Sequence, residues 1–157
     1  MQGIRTFLWF DTQAEEAANF YTSLFKNSRI VDVKRWGDDA AGAAGDVATV
    51  AFELDGRPFV ALNGGPEFHF TEAISLQIDC DDQAEVDHYW EALGEGGEHG
   101  PCGWLKDRYG LSWQVVPRQL VDLVFGPDAR RAGAATRAMM QMGKLDIADL
   151  ERAYNEA

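Results

Sequence analysis

Apolar and polar positions along the chain fall into two similar cycles. In the first, "FLWFD" (7–11) alternates and runs into "QAEEAANFYTSL" (13–24). There Ala14, Ala17, Ala18, Tyr21, Leu24 and Phe25 share one face of a 3.6-residue period. In the second, "SLQID" (75–79) alternates and runs into "QAEVDHYWEAL" (83–93), with Val86, Tyr89, Trp90 and Leu93 as the apolar stripe. Each cycle therefore predicts a strand followed by an amphipathic helix. Thr12 and Glu15 have the spacing of a capping box, as do Asp82 and Glu85. Asn27 stops the first helix; Gly94, Gly96 and Gly97 stop the second. On the strands, Leu8 and Phe10, like Leu76 and Ile78, form an aliphatic-aromatic face that packs under the helix.

The cycles continue alike. "IVDVKRW" (30–36), "VATVAFEL" (47–54) and "FVALN" (59–63) predict three strands after the first helix, the last two joined by a turn at "DGRP". "GWLKD" (103–107) and "LSWQVV" (111–116) predict two after the second, with a turn at "RYG" and a short or irregular strand near "EHGPC". "DGRPFVALN" lies on "DRYGLSWQV" without gaps. The small-residue stretch "GDDAAGAAGD" (37–46) is the best candidate for a mobile loop. Each cycle thus reads strand-helix-strand-strand-strand. One such module leaves a sheet face bare, so two copies are expected to cover each other or share a cavity. The chain then departs from the repeat. Pro127 opens an Ala- and Met-rich helix to Met142, Gly143 stops it, and Ile147, Leu150 and Tyr154 mark a last helix. The first exposes Met139, Met140 and Met142 close together, which predicts docking on the same chain or on a second subunit.

Composition narrows the function. The 157 residues carry 26 acids against 14 bases, a net charge of −12 that repels phosphate backbones and anionic lipid. No nucleic-acid or membrane partner is expected. No apolar run has the length of a membrane span, and "MQGIRTFLWFD" has none of the parts of a signal peptide, so the expected location is the cytoplasm. Cys80 and Cys102 have neither disulfide-scaffold nor zinc spacing and are expected as reduced thiols. Asp107 and Arg108 read as turn formers, and Trp104 and Trp113 as core, Trp113 under the helix.

"FLWFDTQAEEAANFYTSLF", "ISLQIDCDDQAEVDHYWEAL", "CGWLKDRYGLSWQVVP" and "AMMQMGKLDIADLERAY" resemble the PhnB-like branch of the vicinal oxygen chelate superfamily. That superfamily includes glyoxalase I, bleomycin-resistance proteins and extradiol dioxygenases, and members of the branch are often called demethylubiquinone methyltransferases. The resemblance implies an α+β fold of paired βαβββ modules with a C-terminal helical tail. One glyoxalase-like domain is expected over 1–126, its modules at about 1–66 and 72–120, followed by helices over 127–157 and paired into a homodimer. A methyltransferase reading fits the residues poorly. A doubly wound cofactor domain needs a Gly-rich turn after its first strand, and "FDTQAEE" has no glycine.

In metal-dependent relatives, the resemblance puts ligands on the last strand of each module, here Leu62 and Gln114. It puts others on the first strands, near Arg5 to Phe7 and Ala73 to Ser75. None is His, Glu or Asp, so no cofactor is expected; His69 and Glu72 are the one pair to watch for a divalent metal. His88 and His99 read as surface residues. Cys102 in "GPCGW" reads as a small loop or core residue rather than a nucleophile. The remaining strand face carries Phe7, Trp9, Ser75, Gln77, Ser112 and Gln114, amides and hydroxyls among aromatics. Such a lining suits a neutral, flat small molecule held by stacking and hydrogen bonds. The expected function is small-molecule binding of the bleomycin-resistance type without a catalytic metal. The alternative is a metal-dependent lyase, isomerase or dioxygenase.

Overall fold

A computed structural model describes residues 3–38 and 43–157. Part of the 37–46 loop, residues 39–42, lies outside the described residues. The chain divides into two compact units, residues 1–70 and 71–157.

The first unit runs β1 (Thr6–Phe10), α1 (Ala14–Leu24), β2 (Arg29–Arg35), β3 (Val47–Leu54) and β4 (Arg57–Asn63). Its strands order β1-β4-β3-β2, with β1 and β4 parallel and the other neighbours antiparallel. Strand alternation decides the faces. Leu8, Phe10, Val50, Phe52, Phe59 and Ala61 are buried, and Ala14, Ala17, Ala18 and Tyr21 of α1 are buried with them. Tyr21 stacks on Phe52 at 6.4 Å, and Phe52 on Phe59 at 5.4 Å. The three alanines let the helix backbone approach the sheet closely. Leu24 and Phe25 are only half-buried at the end of the stripe.

The helix start departs from the sequence reading. α1 begins at Ala14, and its cap position, Gln13, makes no side-chain cap hydrogen bond. The free amide of Ala14 instead donates to Asn63 Oδ1 at 2.8 Å, while Asn63 Nδ2 donates to the Val47 carbonyl at 3.1 Å. The Thr12–Glu15 capping box does not form because the last residue of β4 already satisfies this end.

The second unit repeats the plan: β5 (Ser75–Cys80), α2 (Gln83–Gly94), β6 (Glu98–His99), β7 (Trp104–Lys106) and β8 (Ser112–Pro117), ordered β5-β8-β7-β6 with β5 and β8 parallel. The short strand expected near "EHGPC" is β6, two residues long. Here the expected cap forms: Asp82 accepts from the Glu85 amide at 2.9 Å, and Glu85 accepts from the Asp81 amide at 2.8 Å. Val86, Trp90 and Leu93 pack with Leu105, Leu111, Trp113 and Val115 in the core. The repeat is one of register too. Trp9 lies beside Leu62 on β1 and β4, and its counterpart Gln77 beside Gln114 on β5 and β8.

Three helices complete this unit: α3 (Gln119–Val124), α4 (Ala129–Met140) and α5 (Ile147–Asn155). α3 has no counterpart in the sequence pattern. Val116, Leu120, Leu145 and Leu150 form a second buried cluster, with Leu123, Val124, Ala138, Met139 and Met142 packed against it. The sequence reading of three exposed methionines is therefore corrected. Met139 and Met142 face their own chain, and Met140 is exposed. α4 also stops two residues before Met142, because the Met142 and Gly143 carbonyls accept from the Cys102 and Gly103 amides, each at 2.8 Å.

Candidate functional site

The face of the second sheet opposite α2 is built by register. Ser75, Ser112 and Lys106 lie side by side across β5, β8 and β7; Gln77, Gln114 and Trp104 form the next row. Alternation puts both rows on one face. Gln114 Nε2 donates to Ser75 Oγ at 2.8 Å, and Gln77 Nε2 donates to Asp79 Oδ1 at 2.7 Å, so the two amides are committed within the sheet. Ser112 is different. It is fully buried, and its hydroxyl has no hydrogen-bond partner. An unpaired buried hydroxyl costs on the order of 1–3 kcal/mol.

Ser112 lies in the wall of a concavity of about 480 Å³. Trp104, Leu105 and Lys106 line it from β7, Gly100, Pro101 and Cys102 from the preceding loop, and Glu72, Glu98 and His99 complete it. Lys106 is paired with the Glu72 carboxylate. That hydrogen bond holds Glu72 below the usual carboxylate range and raises the Lys106 ammonium. His99 stacks on Trp90, ring centroids 4.4 Å apart, and its Nε2 lies 3.0 Å from the Trp90 carbonyl. A Cβ on Gly94 would overlap that imidazole, so Gly94 makes room for the stack. His99 is exposed, as the sequence suggested, but its ring is held in place against Trp90; His88 and His69 are exposed as well.

Phe7 and Trp9 belong to the first unit. Phe7 is 57% exposed on β1. Trp9 is half-buried; its indole N–H donates to the Gly65 carbonyl at 2.9 Å, and its ring meets Phe68 edge-on at 4.9 Å. Trp9 borders a concavity of about 640 Å³ with Leu62, Arg35, Trp36 and the carboxylates Asp11, Glu15 and Asp46. Of the six residues singled out from the sequence, Ser112 lines the concavity of the second unit and Trp9 that of the first. Ser75 and Gln114 stand beside Ser112 in the sheet. Lys106 and the 100–102 loop were missed, although alternation along "GWLKD" from Trp104 marks Lys106 as sharing its face.

The implied metal positions hold poor donors. Leu62 has no donor atom, and Gln114 is bonded to Ser75. Glu72 pairs with Lys106. Among the described residues no group of three or more His, Cys, Asp or Glu is placed to hold a metal ion. Cys80 and Cys102 are free thiols. Burial pushes the Cys80 thiol up to about 12, aided by the nearby carboxylates of Glu85, Asp79 and Asp81. Asp107, read as a turn former, is a buried hub. Its Oδ1 accepts from the Tyr109 and Leu111 amides at 2.9 and 3.0 Å, and its Oδ2 from Trp113 Nε1 at 2.9 Å.

Residues 2–116 match the family model described as 3-demethylubiquinone-9 3-methyltransferase. Among solved structures, the chain is similar to a putative 3-demethylubiquinone-9 3-methyltransferase, PhnB protein, from Bacillus cereus. The identity is 38% and the TM-score 0.66, over 74% of this chain and 99% of that one. Protein PA1353 from Pseudomonas aeruginosa shares the fold at 20% identity and a TM-score of 0.62, over 74% and 98% of the two chains. The fosfomycin resistance protein FosX from Mesorhizobium loti shares it at 15% and 0.52, over 74% and 91%. No curated protein matches the chain.

Proposed function

The chain belongs to the PhnB-like family of the vicinal oxygen chelate superfamily, and from that membership we propose that it is a small-molecule binding protein of the bleomycin-resistance type, working without a catalytic metal. The observation that carries this reading is Ser112, a buried hydroxyl without a partner in the wall of a largely apolar concavity. A ligand bringing one hydrogen-bonding group, reaching the hydroxyl by a small shift of the wall, would offset that cost, while Trp104 and Pro101 cover its apolar body. The ligand class is uncharged. Lys106 is already paired with Glu72, and an anion entering the concavity would also face Glu98.

The methyltransferase description of the family is not carried over. Neither four-stranded sheet is a doubly wound parallel sheet, and β1 passes into α1 through Asp11, Thr12 and Gln13 without a glycine turn. A metal-dependent lyase, isomerase or dioxygenase is the second reading. It is favoured by fold alone: a FosX mutant from Listeria monocytogenes, 15% identical with a TM-score of 0.51, is described in complex with Mn(II). Leu62 and Gln114 weigh against it here.

No helix among the described residues is long and apolar enough to cross a membrane. We carry a cytoplasmic location and a homodimer as part of the proposal. The tail packs on its own unit, so the support for pairing is the exposed apolar set Val121, Phe125 and Met140. Native mass spectrometry with elemental analysis tests the core of the reading. A copurified small molecule, lost on denaturation, is expected. About one divalent ion per chain, with catalytic turnover that a chelator abolishes, would establish the enzyme instead.

A further inference from the structure

The family match ends at residue 116, and 74% of this chain accounts for 99% of the Bacillus cereus PhnB protein. The helices after β8 lie outside the residues matched by the family model, and they meet the matched part at the concavity. The loop residues 100–102 form one wall of that concavity, and Cys102 and the following Gly103 are bonded to the tail. The Cys102 amide donates to the Met142 carbonyl and the Gly103 amide to the Gly143 carbonyl, each at 2.8 Å. Cys102 and Gly103 both sit at positive φ, 58° and 81°, a conformation that the two bonds fix. A Cβ on Gly103 would lie 2.8 Å from the Val115 carbonyl oxygen and 3.0 Å from Leu145 Cδ1, so the tail closes directly on this turn.

The segment that grips the loop is itself gripped by α2. Gln83 Nε2 donates to the Leu145 carbonyl at 3.0 Å, and its Oε1 accepts from the Ile147 amide at 2.9 Å. Lys144 pairs with Asp87 at 3.0 Å. Leu145 between them is fully buried. A chain of contacts thus runs from α2 through residues 142–147 to the wall carrying Pro101 and Cys102. We propose that the C-terminal tail is a specificity element of the ligand pocket, setting the position of the 100–102 wall against Trp104 and Ser112 and so the size of the uncharged, mainly apolar molecule admitted. This rests on the reading of the concavity as the ligand site.

The test uses the full chain and 2-naphthol, a flat uncharged probe with one hydroxyl. Amide hydrogen exchange and probe titration are followed residue by residue by NMR in the wild type, Gln83→Ala and Lys144→Ala. Lys144→Ala removes only a surface ion pair and serves if Gln83→Ala does not fold. In Gln83→Ala, loss of both hydrogen bonds to the tail segment, together with a third to Asp87, should speed exchange at the Cys102 and Gly103 amides by about tenfold. Val50 and Phe52 in the first unit should keep their rates. The affinity for 2-naphthol, read at the Trp104 indole and Ser112 amide, should fall several-fold. Lys144→Ala should move both quantities the same way by less, about twofold. Unchanged exchange at Cys102 and Gly103, or faster exchange with unchanged affinity, overturns the tail's role while leaving the ligand site standing. A wild-type protein whose Trp104 and Ser112 signals do not respond to 2-naphthol overturns the ligand site, and the tail's role with it.

Discussion

Asp107 offers a sharp test of how the second unit is held together. Asp107 is 2% exposed, and its carboxylate accepts from the turn amides of Tyr109 and Leu111 through Oδ1 and from the Trp113 indole through Oδ2. Trp113 is itself a core residue of β8, so one side chain ties the 107–111 turn to the sheet beside Ser112. Asp107→Asn keeps the shape and the Oδ1 acceptor, and sets an amide N–H against the indole N–H. One charge-assisted bond is lost and two donors face each other, which costs about 2 kcal/mol. Asp107→Ala removes these acceptor contacts and strands a buried indole N–H and the Leu111 amide, which costs about 4–5 kcal/mol. For a chain of this size, each kcal/mol moves Tm by about 2–4 °C. Urea unfolding followed by tryptophan fluorescence, with a thermal scan by circular dichroism, measures both variants. Adding Trp113→Phe to Asp107→Asn removes the clashing donor and should recover about 1 kcal/mol relative to additivity. Asp107→Ala within 1 kcal/mol of the wild type, or Asp107→Asn as damaging as Asp107→Ala, would refute the hub.

Three further outcomes follow from particular contacts. The raised Cys80 thiol means that the folded chain holds this proton more tightly than the unfolded chain. Its contribution is therefore complete below pH 9.0 and drains away as pH climbs toward about 12; urea midpoints should fall less steeply with alkaline pH in Cys80→Ala than in the wild type. Trp9→Ala loses the bond to Gly65 and the Phe68 contact, and should lower stability by about 3 kcal/mol, with Trp9→Phe near 1 kcal/mol, both by urea titration; a stable Trp9→Ala would mark Trp9 as a ligand platform only. If Phe125, 81% exposed, lies in a dimer interface, light scattering at tens of micromolar should give about twice the chain mass for the wild type and a lighter species for Phe125→Asp, whereas a monomeric wild type would end the dimer proposal.

The parts of the fold that sequence shows are those written in short-range periodicity. Leu8 and Phe10 alternate, the α1 alanines recur at helical spacing, and the alignment of Trp9 with Gln77 and of Leu62 with Gln114 reappears in the strand register. The cap at Asp82 is local and was legible; the cap from Asn63 to Ala14 spans 49 residues and was not. Asp107 looked like a turn former because its turn contacts are local, while its bond to Trp113 depends on the strand that follows. The tail's apolar residues were visible, but whether they faced a partner or their own chain turned on the Met142 and Gly143 carbonyls meeting a loop 40 residues earlier. α3 is six residues long, too short to show a period. The site was half legible: Ser112 follows from alternation, whereas Trp104 was read as core and the wall at Gly100 to Cys102 is set by irregular backbone and tail contacts that no periodicity encodes.

Calorimetric titration of the wild type and Ser112→Ala with 2-naphthol, in the presence of a chelator, bears most directly on metal-free small-molecule binding. Saturable binding of one molecule per wild-type chain is expected, weakened by about two- to tenfold in Ser112→Ala, the range for one lost hydrogen bond. Urea unfolding of the same variant without ligand should show it as stable as the wild type or more so, because its unpaired hydroxyl is gone. Opposite signs in binding and stability mark a hydroxyl kept for a ligand. Binding that appears only after a stoichiometric divalent ion is restored, or a Ser112→Ala variant that binds as well as the wild type, would contradict the account.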